Sequence, residues 1–454
     1  MKLNSMRYCA TGLLLCTLLP LTAQAKVSAE QATSLKDHLT PFGAIRQADS
    51  ENGIPAWTGG LSSAPAGFAG PGNFQIDPYA TQQPLLIIDA QNRASHASHL
   101  SAGVQALFAA YPDSFKIPVY PSQRSFAAPQ EIYANTYQNA LNAELVAGGN
   151  GFTHAYGGIP FPIPQSGLEA IWNHIARWQG RYFEDSSTTA RVNTSGSYSS
   201  SREKNQLLFN YYEAGKNADN LDNTLFYYIN KVLPPSRSAG ETLLVHETID
   251  QVTAPRMAWN YFPGQRRVRR APTVAYDNPV EGYLSDDADL YNGAPDRYEW
   301  KLLGRQALYV PYNNYRLGQS GTPHAELLHK GHLNPELTRW EMHRVWVVEA
   351  QLKPGQRHAY GKRRFYLDED SWSILMAESY DNRDQLWMVN LAFSKQAYEV
   401  PTLTTEAIVY HNLISHTYTA TGLRSQEKAP RQFQLPAPPE SYWKPANLRR
   451  MGTN

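Results

Sequence analysis

Residues 344–350 read Arg-Val-Trp-Val-Val-Glu-Ala, and residues 386–391 read Leu-Trp-Met-Val-Asn-Leu. Side chains alternate between the two faces of a strand, and in both stretches each alternating set is mostly apolar. An antiparallel sheet with one face in water should alternate cleanly between apolar and polar residues. These stretches therefore predict strands that are covered on both faces, either by helices or, on one side, by a cavity for a hydrophobic ligand.

The second half of the chain is predicted to form strands joined by short turns. The strands are expected at residues 243–249, 257–262, 266–270, 298–310, 342–352, 363–367, 373–380 and 385–394. Connections such as residues 353–355 and 381–383 suit consecutive hairpins, whereas parallel pairing needs crossovers of about a dozen residues or more. We therefore predict one antiparallel meander over residues 231–425.

Inward positions of this meander are candidates to line a cavity. The candidates are Trp259, Tyr261, Val345, Val347, Leu375 and Trp387. A change of register by one residue would exchange this whole set for its neighbours, so the inward face of each strand stays open.

The first half of the chain differs, because helices alternate with loops rich in glycine and proline. Ser166 and Glu169 have the spacing of a capping box at a helix start. This box precedes an amphipathic helix, whose apolar stripe is Leu168, Ile171, Trp172, Ile175 and Trp178. We expect residues 26–230 to form a helix- and loop-rich arm, and residues 426–454 a proline-rich tail. Together with the meander they predict an α+β fold, built as a single unit over residues 26–454.

The composition excludes two broad classes of protein. Lysine and arginine number 41 against 40 acidic residues, and a net charge of +1 lacks the basic surface that nucleic-acid binding requires. With 18% charged and 42% hydrophobic residues, the chain is also unlike a disordered protein. Aromatic residues make up 12% of the chain, and they favour half-buried strand surfaces.

The first 25 residues have the layout of a secretory signal peptide. A positive start and an apolar run at residues 12–21 precede the small-residue site Ala23-Gln-Ala25. Cleavage after Ala25 removes both cysteines, Cys9 and Cys16, so the mature chain would have neither disulfides nor cysteine nucleophiles. We expect an exported, periplasmic protein, with peripheral association at the outer membrane as a further expectation.

The sequence contains neither a Gly-x-Ser-x-Gly nucleophile elbow nor a phosphate-binding loop, and we expect no enzyme, cofactor or metal. The acidic segment from Asp286 to Asp296 departs from calcium-loop spacing and lacks the terminal glutamate, which leaves an ion there an open question. Arg267 and Arg269 belong to a basic patch that could meet an anionic head group or a partner. Paired carboxylates of a glycan-active enzyme need not be close in sequence, so that alternative stays open.

Several longer motifs, spread over nearly the whole chain, resemble one known family. They include Leu39-Thr-Pro-Phe-Gly-Ala44, Ile54-Pro-Ala-Trp-Thr-Gly-Gly60, Pro263-Gly-Gln-Arg-Arg-Val-Arg-Arg-Ala-Pro272, Tyr291-Asn-Gly-Ala-Pro-Asp-Arg297 and Val310-Pro-Tyr-Asn313. They resemble an exported Gram-negative family carried as a domain of unknown function. That family is labelled outer-membrane lipoprotein-sorting protein because of its similarity to LolA.

This resemblance implies a fold and a function. LolA-like proteins have a strongly curved antiparallel sheet, an incomplete barrel, that helices close over an apolar cavity for acyl chains. By analogy we expect periplasmic binding and transfer of a hydrophobic, lipid-like or lipoprotein cargo. The family also implies a transporter of the resistance-nodulation-division type and an outer-membrane protein as partners. The alternative is a periplasmic glycan-binding protein or glycan-active enzyme, since the aromatic residues would suit sugar stacking.

Overall fold

One large curved sheet dominates the computed structural model, which describes residues 27–453. It has 15 strands, and over these residues it stays open rather than closing into a barrel. The strands along the chain are β1 (Leu86–Ile88), β2 (Ile117–Val119), β3 (Glu144–Leu145), β4 (Phe152–Thr153), β5 (Tyr182–Val192), β6 (Tyr198–Leu208), β7 (Thr224–Leu233), β8 (Thr242–Thr248), β9 (Met257–Phe262), β10 (Arg267–Arg270), β11 (Tyr298–Pro311), β12 (Trp340–Leu352), β13 (Lys362–Asp368), β14 (Ile374–Tyr380), β15 (Leu386–Ala397), β16 (Thr402–Asn412) and β17 (Thr417–Leu423). Strands β3 and β4 form a separate small sheet. The predicted signal peptide lies outside the described residues.

Two antiparallel meanders build the large sheet. One runs from β5 to β10 and the other from β11 to β17, and consecutive strands within each are hydrogen-bonded. Strand β17 lies beside β5, with Ala420 opposite Ala190, and this seam joins the two meanders. The single meander predicted for residues 231–425 is therefore corrected to two, because the chain leaves the sheet between Arg270 and Tyr298.

Strands β8 to β15 lie close to their predicted bounds, but β5, β6 and most of β7 fall within residues 26–230, which we predicted to be helix and loop. Strand β6 shows the reason, because it reads Tyr-Ser-Ser-Ser-Arg-Glu-Lys-Asn-Gln-Leu-Leu. Both of its alternating sets are mostly polar, so the period-two pattern of apolar residues is missing. The helix- and loop-rich region is therefore corrected to end before Tyr182.

Six short α-helices pack around the sheet. They are α1 (Ala29–Thr33), α2 (Ala102–Ala110), α3 (Gln130–Asn142), α4 (Gly167–Ala176), α5 (His324–Leu327) and α6 (Leu448–Thr453) among the described residues. Ser166 accepts a hydrogen bond from the Glu169 amide at the start of α4, as the capping-box spacing predicts. Gly167 lies against the backbone of Lys301 in β11, where a Cβ atom would clash at 2.7 Å.

The strands that are apolar on both sides are covered on both faces, as predicted. We name the face that carries Phe365 and Tyr228 the inner face and the opposite one the outer face. Helix α2 covers the outer face, where the Gly103 amide donates to Glu378 at 2.5 Å. Helix α4 and the segment Ser285–Leu290 pack over β11, β12, β14 and β15. Over β12 to β15, protein rather than a cavity covers both faces, and the predicted α+β class with a curved antiparallel sheet is confirmed.

Candidate functional site: a cavity on the inner face

A cavity of about 350 Å³ opens on the inner face of the first meander. Strands β5 to β8 form its floor, β16 and β17 form one side, and residues 274–292 with Ile175 of α4 cover it. Ligand sites in proteins commonly measure about 300–1,000 Å³. The cavity therefore has the size of a site for a small molecule or for part of a longer chain.

Strand register decides which side chains reach the floor. Successive residues of a strand point to opposite faces, so Glu203, Asn205 and Leu207 of β6 all face the cavity. On the neighbouring strand β7, Asn230 lies opposite Asn205 and Tyr228 lies opposite Leu207. Polar residues thus stand beside apolar ones on the same inner face.

A hydrogen-bonded row of side chains crosses the floor from β5 to β7. Asn205 Nδ2 donates to Asp185 Oδ1 at 3.0 Å, and Asn230 Nδ2 donates to Asn205 Oδ1 at 2.9 Å. Asn230 Nδ2 also donates to Glu203 Oε2 at 3.0 Å. The Tyr228 hydroxyl completes the row by donating to Asn205 Oδ1 at 2.7 Å. We name these five residues the polar row.

The two carboxylates of the polar row have opposite electrostatic surroundings. Arg424 and Arg431 contact Asp185 Oδ2 at 2.9 and 2.7 Å. Burial opposes the charge on Asp185, but the two guanidinium groups outweigh it and lower its pKa to about 2. Glu203 has no ion pair among the described residues, and burial, with nearby Glu281, raises its pKa to about 7. The cavity therefore contains one carboxyl group without a cation.

Apolar side chains form most of the remaining wall. Tyr283 and Tyr410 stack with their ring centres 4.2 Å apart at the side formed by β16. The other apolar lining residues are Ile175, Phe183, Leu207, Phe209, Phe226, Leu243, Val245, Val274, Val280 and Ile408. A wall of this kind, interrupted by a polar row, fits an amphipathic ligand better than a bare hydrocarbon.

The structure places the predicted lining residues of β9 on the outer face. Trp259 lies opposite Leu244 and Tyr261 opposite Thr242, whereas it is Leu243 that lines the cavity. Both aromatic residues pack with Trp443 of the C-terminal tail. No residue of β9 lines the cavity, whose floor ends at β8, so both predicted residues lie outside this site.

The other four predicted lining residues lie in the second meander, away from this cavity. Val345, Val347 and Leu375 are 0%, 2% and 0% exposed and belong to the main hydrophobic core. Trp387 packs edge-on against Tyr360, with ring centres 5.4 Å apart. Strong apolar character in these strands therefore marks packing against protein.

Arg267 and Arg269 lie on β10, an exposed strand at one end of the sheet. Arg269 is opposite Asn260, which is itself opposite the cavity residue Leu243. Arg267 is opposite Phe262, two positions along the same face. Both arginines are therefore on the inner face of the sheet edge, two strands beyond the cavity floor.

The acidic segment between Asp286 and Asp296 binds an arginine of the second meander. Asp286 accepts from Arg363 Nη1 at 2.8 Å, and Asp287 accepts from Arg363 Nη2 at 2.7 Å. His358 and Tyr360 donate to the same two carboxylates. Asp286 and Asp287 therefore neutralise the fully buried guanidinium group of Arg363.

One buried group among the described residues has the composition of a metal site. His343, Asp368 and Asp370 each place a potential ligand atom within 4.8 Å of the others. Arg124 already binds both oxygens of Asp370, at 2.6 and 2.9 Å. Further ion pairs around the group join Arg339 to Glu341, and Arg344 and Arg305 to Glu369. A divalent ion would add two charges to a buried network that already has as many guanidinium groups as carboxylates.

Sequence reasoning missed the polar row altogether. Asp185, Glu203 and Asn205 lie in strands that were not predicted, and a polar stretch of this kind is typical of a loop. Phe183, Asp185 and Ser187 share one face of β5, and one apolar residue beside two polar ones gives no signal of a buried face.

The fold defines an α+β class, an open curved antiparallel sheet with a cavity on its inner face. Within that class the chain belongs to the DUF1329 family, "Protein of unknown function", whose model matches residues 87–449. This confirms the family resemblance predicted from the sequence motifs. An uncharacterised protein of Pseudomonas aeruginosa is 44% identical over 448 residues, which cover 97% of this chain and 98% of the relative.

Solved structures with similarity to this chain include a domain from Vibrio parahaemolyticus named for outer membrane lipoprotein sorting. It is 17% identical with a TM-score of 0.43, covering 63% of this chain and 98% of that one. A DUF1329 family protein from Desulfovibrio piger is 14% identical with a TM-score of 0.41, over 60% and 92%. A LolA superfamily protein from Nitrosomonas europaea is 11% identical with a TM-score of 0.37, over 62% and 98%. Within residues 27–453, none of the helices has the length and apolar character to cross a bilayer.

Proposed function

We propose that this protein binds a hydrophobic, lipid-like or lipoprotein cargo in the periplasm and holds part of it in the inner-face cavity. The observation that carries the proposal is the cavity itself, about 350 Å³ with mostly apolar walls. Each buried methylene group of a ligand contributes about 0.8 kcal/mol. A segment of acyl chain would therefore bind appreciably without any catalytic group.

Transfer to an envelope transport system completes the proposal. A transporter of the resistance-nodulation-division type and an outer-membrane protein are the proposed partners, as the family resemblance implies. The exposed Arg267 and Arg269 support a contact with an anionic head group or with such a partner, because both are on the cavity side of an exposed sheet edge. An edge strand also offers unpaired backbone groups to a partner.

Native mass spectrometry of the mature protein, followed by lipid extraction, tests cargo binding. We expect a co-purified or added envelope lipid on the wild-type protein. Leu243→Trp should abolish it, because the larger side chain occupies the cavity that Leu243 lines. Leu303→Trp is the matched control, since Leu303 is 47% exposed on β11 and does not line the cavity. Protein that stays empty when offered envelope lipids would refute the proposal.

The polar row supports one alternative, a glycan ligand. Amide and carboxyl groups that form a row on a cavity floor can bind sugar hydroxyls, and Tyr283 and Tyr410 offer aromatic faces. The same mass-spectrometric assay with envelope glycans separates the two proposals. Binding of glycan fragments with no retention of lipid would favour the alternative.

A further inference from the structure

The unpaired carboxyl group of the cavity restricts the chemistry of its ligand. Glu203 lies on the floor, where two neutral groups donate hydrogen bonds to it: Asn230 Nδ2 at 3.0 Å and the Thr189 hydroxyl. No lysine, arginine or histidine of the described residues lies within ion-pairing distance of it. A carboxylate in such a place is stabilised by any group that can donate a hydrogen bond or bring a positive charge.

The three arginines of the cavity, Arg256, Arg424 and Arg431, are already engaged within the protein. Arg256 donates from Nε to Glu247 at 2.6 Å and from Nη2 to Asn292. Arg424 uses Nε and Nη2 on Asp185 and donates from Nη1 to the Thr405 carbonyl. Arg431 uses Nε on Asp185 and Nη1 on Thr404 Oγ1. Most of their donors are thus satisfied within the protein. An acidic ligand head would compete with Asp185 for them and would share the cavity with Glu203.

We propose that the cargo has an apolar body and a hydrogen-bond donor, an ammonium or hydroxyl group, that docks on Glu203. The apolar body lies against the wall formed by Phe226, Val245 and Ile408, while the donor reaches the polar row between them. This inference rests on the proposed function and names the class of cargo within it. It distinguishes amphipathic amines and alcohols from free acids of the same chain length.

Three ligands of equal chain length test the inference: decylamine, decanol and decanoate. Isothermal titration calorimetry, below the critical micelle concentrations of the amine and the acid and below the solubility limit of decanol, should give the tightest binding for the amine, then the alcohol. The Kd of decanoate should be at least about tenfold higher than that of decylamine, because the amine gains a hydrogen bond to the carboxylate and the acid does not. In Glu203→Gln this preference for the amine should disappear, while decanol binding changes little.

Glu299→Gln is the matched control, because Glu299 is an exposed residue of β11 outside the cavity. Circular dichroism and a melting curve establish that both variants are folded. Equal or tighter binding of decanoate to the wild-type protein would overturn the inference and point to Arg424 and Arg431 instead. An unchanged amine preference in Glu203→Gln would overturn it as well. If none of the three ligands binds, the proposed function itself fails along with the inference.

Discussion

Arg363 and Glu203 lie on the inner face of the same sheet, yet their surroundings are opposite. Arg363 is in the second meander, 0% exposed, and two aspartates hold its guanidinium group at 2.7 and 2.8 Å. Glu203 is in the first meander, beside a cavity of about 350 Å³, and it has no ion pair among the described residues. One meander is filled and charge-balanced, whereas the other is hollow and keeps a carboxyl group unpaired.

This difference makes the first meander, with its cavity, the better candidate for a functional site. Buried charges cost free energy unless they are paired, so a stable core tolerates them only in sets such as Arg363 with its aspartates. An unpaired carboxyl group in a cavity contributes nothing comparable to stability. A buried carboxyl group without a partner and with a shifted pKa is typical of binding sites, where a ligand supplies the missing partner. Three experiments sharpen or break the comparison.

The stability of the protein should depend more strongly on a charge in the second meander than on one in the first. Arg363→Met leaves Asp286 and Asp287 buried without their cation, and we expect a loss of about 3–5 kcal/mol in the free energy of unfolding. Urea denaturation measures it. Arg383→Met, at an exposed turn, is the control and should change stability by less than about 0.5 kcal/mol. A loss under about 1 kcal/mol for Arg363→Met would show that the second meander does not depend on this ion set.

The two meanders should also differ in how much free energy of unfolding they lose when an aromatic ring is removed from their inner face. Phe365 is 0% exposed and contacts Tyr291 and Trp300, so Phe365→Ala should cost about 3–5 kcal/mol. Phe226 lines the cavity and has protein on fewer sides, so Phe226→Ala should cost about 1–2 kcal/mol less than that. Thermal or urea unfolding of both variants gives the difference. Equal losses would mean that the cavity wall is packed as tightly as the core.

The smallest effect concerns the pH dependence of stability. Burial raises the pKa of Glu203 to about 7 from an ordinary value near 4.5, so between these values the folded state binds more protons than the unfolded state. Stability should therefore fall as pH rises from about 4.5 to 7, and Glu203→Gln should abolish this part of the fall. Above pH 7 the variant should be more stable than the wild type by about 2 kcal/mol, allowing for water in the cavity.

Urea denaturation at a series of pH values measures this difference, with Glu299→Gln as the exposed control. The two curves should converge near pH 4, where Glu203 is protonated in both states. A constant offset between wild type and Glu203→Gln over the whole range would contradict the assigned role of the charge.

Much of the second meander could be predicted from the sequence. Strands β12 to β15 combine apolar residues on both faces with short connections, and their bounds differ little from the predicted ones. Their two covered faces follow from the same pattern, as Val345 and Val348 illustrate with 0% exposure each. The pattern could not tell whether a helix or a cavity lies over an apolar face, because both leave the same residues buried.

The first meander was largely invisible to sequence reasoning for a physical reason. Asp185, Asn205 and Asn230 satisfy one another across three strands, so polar residues occupy an inner face where apolar ones are expected. Such a row is recognisable only when strand pairing is known, since its members are far apart in the chain. The face of Trp259 stayed open for a related reason, because its register against β8 decides it and its own sequence does not.

The seam between β17 and β5 has a consequence for biogenesis. Ala420 is paired with Ala190, so the last strand of the sheet closes against one synthesised much earlier. Contacts between such distant residues form slowly and late. Because Thr421 of β17 and Arg424, just after it, line the cavity, a partially synthesised chain lacks a finished cavity. The cavity is therefore completed only when almost the whole chain is available for folding.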